Sequence, residues 1–552
     1  MSEIPSSHNP DEIAGWQDVA DTMHTWHPDL QAHARRIIDE RGLPVDLSQH
    51  QAQGGLQNQV NTVEIERSRP EVGLLSASEY KARRSETLDH NPEAELNEQQ
   101  EIYDYFKRQD PHYTEEIQKL ADLEHSASPD CRAVVIIPAY NEGSRIRQTL
   151  EQYVKQNIDP KMFEIVVFAT PVEDDSTPAE IERFKLEHPE LSVVFAAKPW
   201  EDGEPATVGN GRKYAADIAM ARLLARDSAN QDTVLVANDA DTLNIEEDYL
   251  SKILAEFDAN KTRSALVTEL DIPPSAAKKP NVAAAFYLLS KFEEIYATGK
   301  VADDEEIIPE PALTNGRSTA IRTADYAAIG GYNPGAVISE DWELGWMLAD
   351  ARDWNAERIG FFKDTKLTTD PRRFIDTVIN RVPTDQQLLG FKDKPELRQL
   401  NNDEILAMVP DTFDLELFQD DVDSIWNSQF TGANKRIPET RFRKIFDATM
   451  HSLGVEYVLD DAKHIVITNV SGFLEKISEG TTSIEIVHSE PRVYTPEMVN
   501  EIREYFSGVP VGVIESRNQK ADEISQALQI AYANNEADRV SELQKELKRF
   551  RD

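Results

Sequence analysis

From Cys131 to about residue 375, short apolar runs alternate with stretches of helical spacing, and few architectures accept that alternation. Strands alternating with helices build a mostly parallel sheet covered on both faces. The strands expected are Arg132–Pro138, Glu164–Ala169, Leu191–Ala197, Thr233–Asn238 and Ala265–Leu270. Helices are expected over Gly143–Lys155, Arg212–Ala225 and near Val282–Tyr296, with one more capped by Ser176 or Thr177. Pro178 would occupy the first position of that last helix, where proline is preferred. The fourth strand ends in Asn238-Asp-Ala-Asp241, two carboxylates one residue apart. Open α/β sheets bind ligands at that edge. A divalent cation held by one or two protein carboxylates completes its shell with substrate phosphates. The pair therefore points to a metal–diphosphate site and a nucleotide-activated substrate, although aspartates also begin ordinary turns after strands.

Charge narrows the partners. Lys and Arg number 58 against 100 Asp and Glu, a formal charge of −42, whereas nucleic acid or anionic membrane needs basic surface. Such acidity suits solubility or a salty cytoplasm. The single cysteine, Cys131, excludes an internal disulfide and fits a reducing compartment. The start, Met1 to Ser7, lacks the basic and apolar segments of a secretory signal. Val134–Ile137 and Val282–Leu289 are the longest apolar runs, too short to span a bilayer. A cytoplasmic protein is expected.

At 552 residues, two or three domains are expected. Residues 1–128 read as a helical extension with a polar linker. Trp16, Val19, Ala20 and Met23 fall at helical spacing, a second helix ends at Gly42, and Pro44–Gly73 is Gln/Asn-rich. A further helix covers Thr114 to about Leu123, before a boundary at Ser126–Pro129. Residues 129–380 form the sheet domain, and 381–552 an α+β region ending in amphipathic helices. Val455–Leu459 and His464–Ile467 read as a β-hairpin, and Thr495-Pro496 opens a helix stopped near Gly508. Val540, Leu543, Leu547 and Phe550 define a tail helix that docks or self-associates.

The turn after the first strand is Pro138-Ala-Tyr-Asn-Glu-Gly143, without the glycines a dinucleotide fold uses to approach a pyrophosphate. NAD and FAD are thereby disfavoured, and Gly209-Asn-Gly211 follows the third strand as too weak a signal. Four segments in order carry a family resemblance: Val134–Gly143, the strand ending in Asp239 and Asp241, Gly316–Arg322 with Gly330-Gly331-Tyr332, and Ser339–Leu344. Together they resemble family-2-like glycosyltransferases of the GT-A fold, over roughly residues 131–375. That resemblance implies a three-layer α/β/α sandwich, a nucleotide-diphosphate-sugar donor, manganese or magnesium, and transfer to an acceptor hydroxyl.

By that resemblance, Asp239 and Asp241 hold the cation, Asp241 being the more direct ligand. A cation bridging diphosphate oxygens stabilises the charge built on the leaving group. Pro138, Ala139, Tyr140 and Glu142 lie along the base and ribose, and Asp174 matches the base-reading carboxylate after the second strand. The sequence Thr170–Thr177 departs from the usual Asp-Asp-Gly-Ser pattern there. Asp341, with Glu340 beside it, matches the general base; acids in a first helical turn also complement the helix dipole. Lys213, Arg317, Arg322, Arg372 and Arg373 are candidates to meet the diphosphate, for which Arg is suited, and Gly316 is a candidate donor-binding residue. No histidine stands near Asp370, leaving Asp370 or water for a third metal position. The Gln-x-x-Arg-Trp motif of processive synthases is absent. The expectation is an inverting, non-processive transferase; a retaining transferase or a non-catalytic sugar-nucleotide scaffold are the alternatives.

Overall fold

The computed structural model describes residues 97–488 except 123–124, 171–174, 201–203, 205–206, 227–231, 299, 302–305, 308–313, 336–339, 352–357, 382–399, 429–438, 460–464 and 479–483. The helices expected near Trp16–Met23 and before Gly42, the linker, the helix at Thr495 and the tail helix lie outside these residues. So do Asp174 and Ser339.

Two helices, α1 (Glu98–Arg108) and α2 (Pro111–Leu120), precede the sheet. Then follow β1 (Ala133–Ala139), α3 (Ser144–Val154), β2 (Phe163–Ala169), α4 (Thr177–Glu187), β3 (Val193–Ala197), α5 (Val208–Ala225) and β4 (Val234–Ala237). Next come β5 (Asn244–Ile245), α6 (Tyr249–Ala259), β6 (Ala265–Asp271), α7 (Pro280–Thr298), β7 (Thr319–Arg322) and α8 (Thr323–Ala328). After α9 (Glu340–Ala351), β8 (Ile359–Thr368) and α10 (Arg372–Asn380), helices α11 (Leu415–Ser428) and α12 (Glu439–Leu453) lead to the hairpin β9 (Glu456–Leu459) and β10 (Ile465–Asn469). That antiparallel hairpin stands where the alternation placed it.

The main sheet has eight strands in the order β3-β2-β1-β4-β7-β6-β8-β5. Six run the same way, while β7 lies antiparallel between β4 and β6, and β5 antiparallel to β8. Alternation along β1 explains the layers. Val134 and Ile136 face a core shared with α5 and α7, and Ala133, Val135 and Ile137 face α3, α4 and α6. This is the three-layer, mostly parallel architecture expected from the sequence. Three strands escaped the sequence reading: β5 has two residues, β7 four, and β8 is interrupted by a register shift between Phe362 and Lys366. None offers an unbroken period-2 run.

Helices on both sides of the sheet segment join one apolar cluster, from Ile102 and Tyr105 through Tyr214 to Phe442 and Phe473. A buried ion pair fastens α1 within it. Arg226 donates to Glu98 Oε1 (2.7 Å) and to the Cys131 carbonyl (2.6 Å), and the Thr233 amide donates to Glu98 Oε2 (2.6 Å). Among the described residues, no helix is long and apolar enough to cross a membrane.

Losing one partner of a buried ion pair strands the other. Glu98→Ala is therefore expected to cost about 3–5 kcal/mol of stability, measured by urea unfolding of the full chain. A loss below about 1 kcal/mol, the scale of an exposed pair, would show that α1 is not tied into the core.

Candidate functional site

The carboxyl edge of the sheet gathers the loops after β1, β2, β4 and β8 and the turn entering β7. Because β7 runs antiparallel to β4, its first residues lie beside the end of β4: Thr319 pairs with Ala237 and Arg322 with Val234. That register brings Gly316 toward the acidic pair and sends Arg322 to the opposite edge.

The acidic loop is fixed from below. Tyr153 donates to Asn238 Oδ1 (2.8 Å), and Asn238 Nδ2 donates to the Arg317 carbonyl (2.9 Å). Thr149 Oγ1 reaches the carbonyls of Ala240 (2.8 Å) and Thr242 (3.0 Å). Ala240 is buried while Asp239 and Asp241 on either side stay part-exposed. The two carboxylates thus present oxygens at the edge from a rigid turn.

Each is met by a different arginine. Arg212 Nη2 donates to Asp239 Oδ1 at 2.6 Å, and Arg372 Nη2 to Asp241 Oδ2 at 2.9 Å. Burial opposes ionisation of Asp239, but Arg212, Arg373 and Arg317 outweigh it and hold the carboxyl below its ordinary range. Asp241 goes the other way: burial, reinforced by Asp370 and Asp239, raises it despite Arg372. Glu142 is pushed up to about 7 by burial first and then by Asp241. Hard carboxylate oxygens suit Mg2+ or Mn2+. Asp239 and Asp241 fit a two-carboxylate cation site on those grounds. Asp370 does not complete a trio with them; its carboxylate holds Arg372 at 3.1 Å. Among the described residues, the one trio at mutual ligand distance is Glu151, Glu187 and His188, bridged by Arg147.

The turn after β1 is pinned by the start of α4. Asn141 adopts a left-handed conformation (φ 54°), and its amide donates to Asp175 Oδ2 at 3.2 Å. The amides of Glu142 and Gly143 both donate to Thr177 Oγ1 at 2.8 Å, and Thr177 N donates to Asp175 Oδ1 at 2.8 Å. Asp175, next to the expected Asp174, therefore serves the loop from a buried position. Pro138 abuts Gly211 and Ala139 is buried, while Tyr140 stands 47% exposed, its ring free to lie along a planar ligand.

At the far side of the edge, Asp341 begins α9 with both oxygens held: Oδ2 accepts from the Gly316 amide (2.5 Å) and Oδ1 from Trp342 N (2.8 Å). Carboxylate oxygens carry further lone pairs, so a hydroxyl can still be accepted there. Glu340 turns inward, accepting from Arg212 Nε at 2.8 Å, and burial followed by repulsion from Asp341 raises it to about 7. Expected as a catalytic neighbour, it is instead a buried partner of Arg212.

Two phosphate candidates are corrected. Lys213 is buried with its ammonium on Asp217 (2.6 Å), over the rings of Tyr105 and Tyr113; one helical position, about 100°, separates it from Arg212, which does reach the edge. Arg322 pairs with Asp232 and donates to the Phe257 carbonyl (2.8 Å) on the other side of the sheet. Arg372, Arg373 and Arg317 remain at the edge, Arg317 tied to Glu293 at 3.3 Å. Arg212 and Asp175 are the residues missed; a basic group opening a helix and a helix-capping carboxylate were the available signals.

Residues 129–358 match the model of the glycosyltransferase like family 2, which makes this segment a family-2-like glycosyltransferase domain. No curated protein matches the chain. S. aureus TarS 1–349 is similar in structure at 17% identity and TM-score 0.29, covering 61% of this chain and 96% of that one. A Pyrobaculum calidifontis mannosyltransferase, PcManGT, in complex with GDP-Man and Mn2+, is similar at 14% identity and TM-score 0.34, covering 79% and 99%.

Replacing Asp175 by Ala removes the acceptor for Asn141 and the anchor of Thr177. The amides of 141–143 are then expected to exchange at least about tenfold faster by hydrogen–deuterium exchange, as locally opened segments do. Unchanged protection would show that the turn is held by other means.

Proposed function

We propose that this family-2-like glycosyltransferase moves a sugar from a nucleoside-diphosphate donor to an acceptor hydroxyl, with inversion and in single transfers. Asp239 and Asp241 hold Mn2+ or Mg2+, and Asp341 is the general base. The observation that carries this reading is the convergence, at one sheet edge, of a part-exposed acidic pair and a carboxylate whose oxygens are both oriented by backbone amides.

The bound cation would supply charge neutralisation on the departing diphosphate. The chain's own groups do the remainder. Tyr140 lies along the nucleoside, and the turn from Pro138 to Gly143, clamped by Asp175 and Thr177, fixes its approach. Arg372 and Arg373 lie beside the acidic pair, placed to contact phosphate oxygens in bidentate fashion. Asp341 accepts the acceptor's proton as its oxygen bonds to the anomeric carbon. The bond from that carbon to the diphosphate oxygen breaks, and its electron pair leaves with the diphosphate. Base and leaving group must occupy opposite faces of the sugar, so the anomeric configuration inverts.

The test is release of free nucleoside diphosphate from a panel of sugar donors with Mn2+. One donor is expected to turn over, with activity lost on adding EDTA and in Asp241→Ala. Asp341→Asn should keep donor binding and lower kcat by about 10²–10⁴, the range general-base removal commands. NMR of the product should show the inverted anomer. Undiminished activity in Asp241→Ala would remove the cation assignment. Tight donor binding without turnover on any acceptor or water would instead make the chain a sensor.

A further inference from the structure

We propose that Arg212 is a positioning residue that fixes the separation between the cation-holding pair and the base. This inference rests on the roles given above to Asp239, Asp241 and Asp341. Its three guanidinium nitrogens each reach a different chain segment. Nη2 donates to Asp239 Oδ1 (2.6 Å), Nε to Glu340 Oε1 (2.8 Å) and Nη1 to the Gly316 carbonyl (2.6 Å). The same Gly316 offers its amide to Asp341 Oδ2 at 2.5 Å. Arg212 is thus joined to the base twice, through the Gly316 peptide and through the Glu340–Asp341 peptide bond, and to the acidic pair once.

The side chain is only 4% exposed, so it acts through its neighbours and not on the substrate. A rigid planar fork can hold three acceptors in fixed directions, whereas a lysine ammonium is a single point on a flexible stem. Glycine at 316 follows from the same geometry. A β-carbon there would overlap the Arg212 guanidinium, at Nη2, Cζ and Nε together. Arg212 and Gly316 therefore form one unit, and damage to either should produce the same defect.

The experiment compares R212K, G316A and the double variant in the full chain, using the donor that the wild type turns over. Each single variant should melt cooperatively, lose about 10²-fold in kcat, as a misplacement of about 1 Å can cost, and change donor KM little. The double variant should be no worse than the worse single one, because coupled residues are non-additive. As a readout independent of turnover, the Gly316 amide should exchange faster in R212K than in the wild type. A wild-type kcat in R212K, additive losses in the double variant, losses confined to KM, or unchanged Gly316 exchange would each overturn the proposal. Should R212K fail to fold, G316A keeps the charge and carries the same test. Should the wild type turn over no donor, the transferase reading fails, while Gly316 exchange still decides whether Arg212 grips the turn.

Discussion

Like charges crowded onto one sheet edge are the constraint around which this molecule is arranged. Glu142, Asp239, Asp241, Glu340, Asp341 and Asp370 all come to the loops at the strands' carboxyl ends, and carboxylates this close resist joint ionisation. Burial first, and neighbouring carboxylates after it, raise Asp241, Glu142 and Glu340. Arginines answer the crowding, Arg212 from the start of α5 and Arg372 from the start of α10. Neither is placed by its own loop. Each is delivered by a helix whose axis is fixed by burial against the sheet or its neighbours, so the electrostatics of the edge depend on packing well away from it.

That dependence explains the stiffness of α5. Nearly every residue from Gly209 to Leu223 is buried, including Arg212, Lys213, Asp217 and Arg222. Each buried charge has a partner: Lys213 with Asp217, Arg222 with Glu164, Arg212 with Asp239 and Glu340. Tyr105 and Tyr113, from α1 and α2, donate to Asp217 one turn from Arg212. The amino-terminal helices thus grip the helix that carries the edge arginine, and removing them would leave buried charges facing water or each other. A hydrophobic contact could slide by a fraction of an ångström at little cost. A buried charge-assisted hydrogen bond cannot.

What was legible in the sequence follows from how locally each feature is encoded. Asp239 and Asp241 sit two residues apart at the end of an apolar run, and a strand's end is visible in its own composition. The turn at Pro138–Gly143 and the acids opening α9 are equally local. Arg212 was missed because its importance lies in partners 27, 104 and 128 residues away. Lys213 was chosen in its place because composition cannot say which way a helix faces when it is apolar all round. Arg322 misled for a related reason: a strand read as an undivided motif hides that its two ends lie on opposite edges. Glu340 and Asp341 look equivalent in sequence, yet one helical step sends the first inward to Arg212 and leaves the second at the edge.

A base works from fixed geometry only if its own carboxylate is held without being consumed. In the proposed reading Asp341 meets that condition through backbone amides, which orient both of its oxygens. Asp239, in contrast, is directly paired with a guanidinium and held below the ordinary carboxylate range, which keeps it ionised and poor as a proton acceptor. Under the proposed function, the two carboxylates on one edge differ in what binds them: an arginine for the proposed cation ligand, peptide N–H groups for the proposed base. Gly316 is where the two arrangements touch, its carbonyl on Arg212 and its amide on Asp341, and only a residue without a β-carbon admits both.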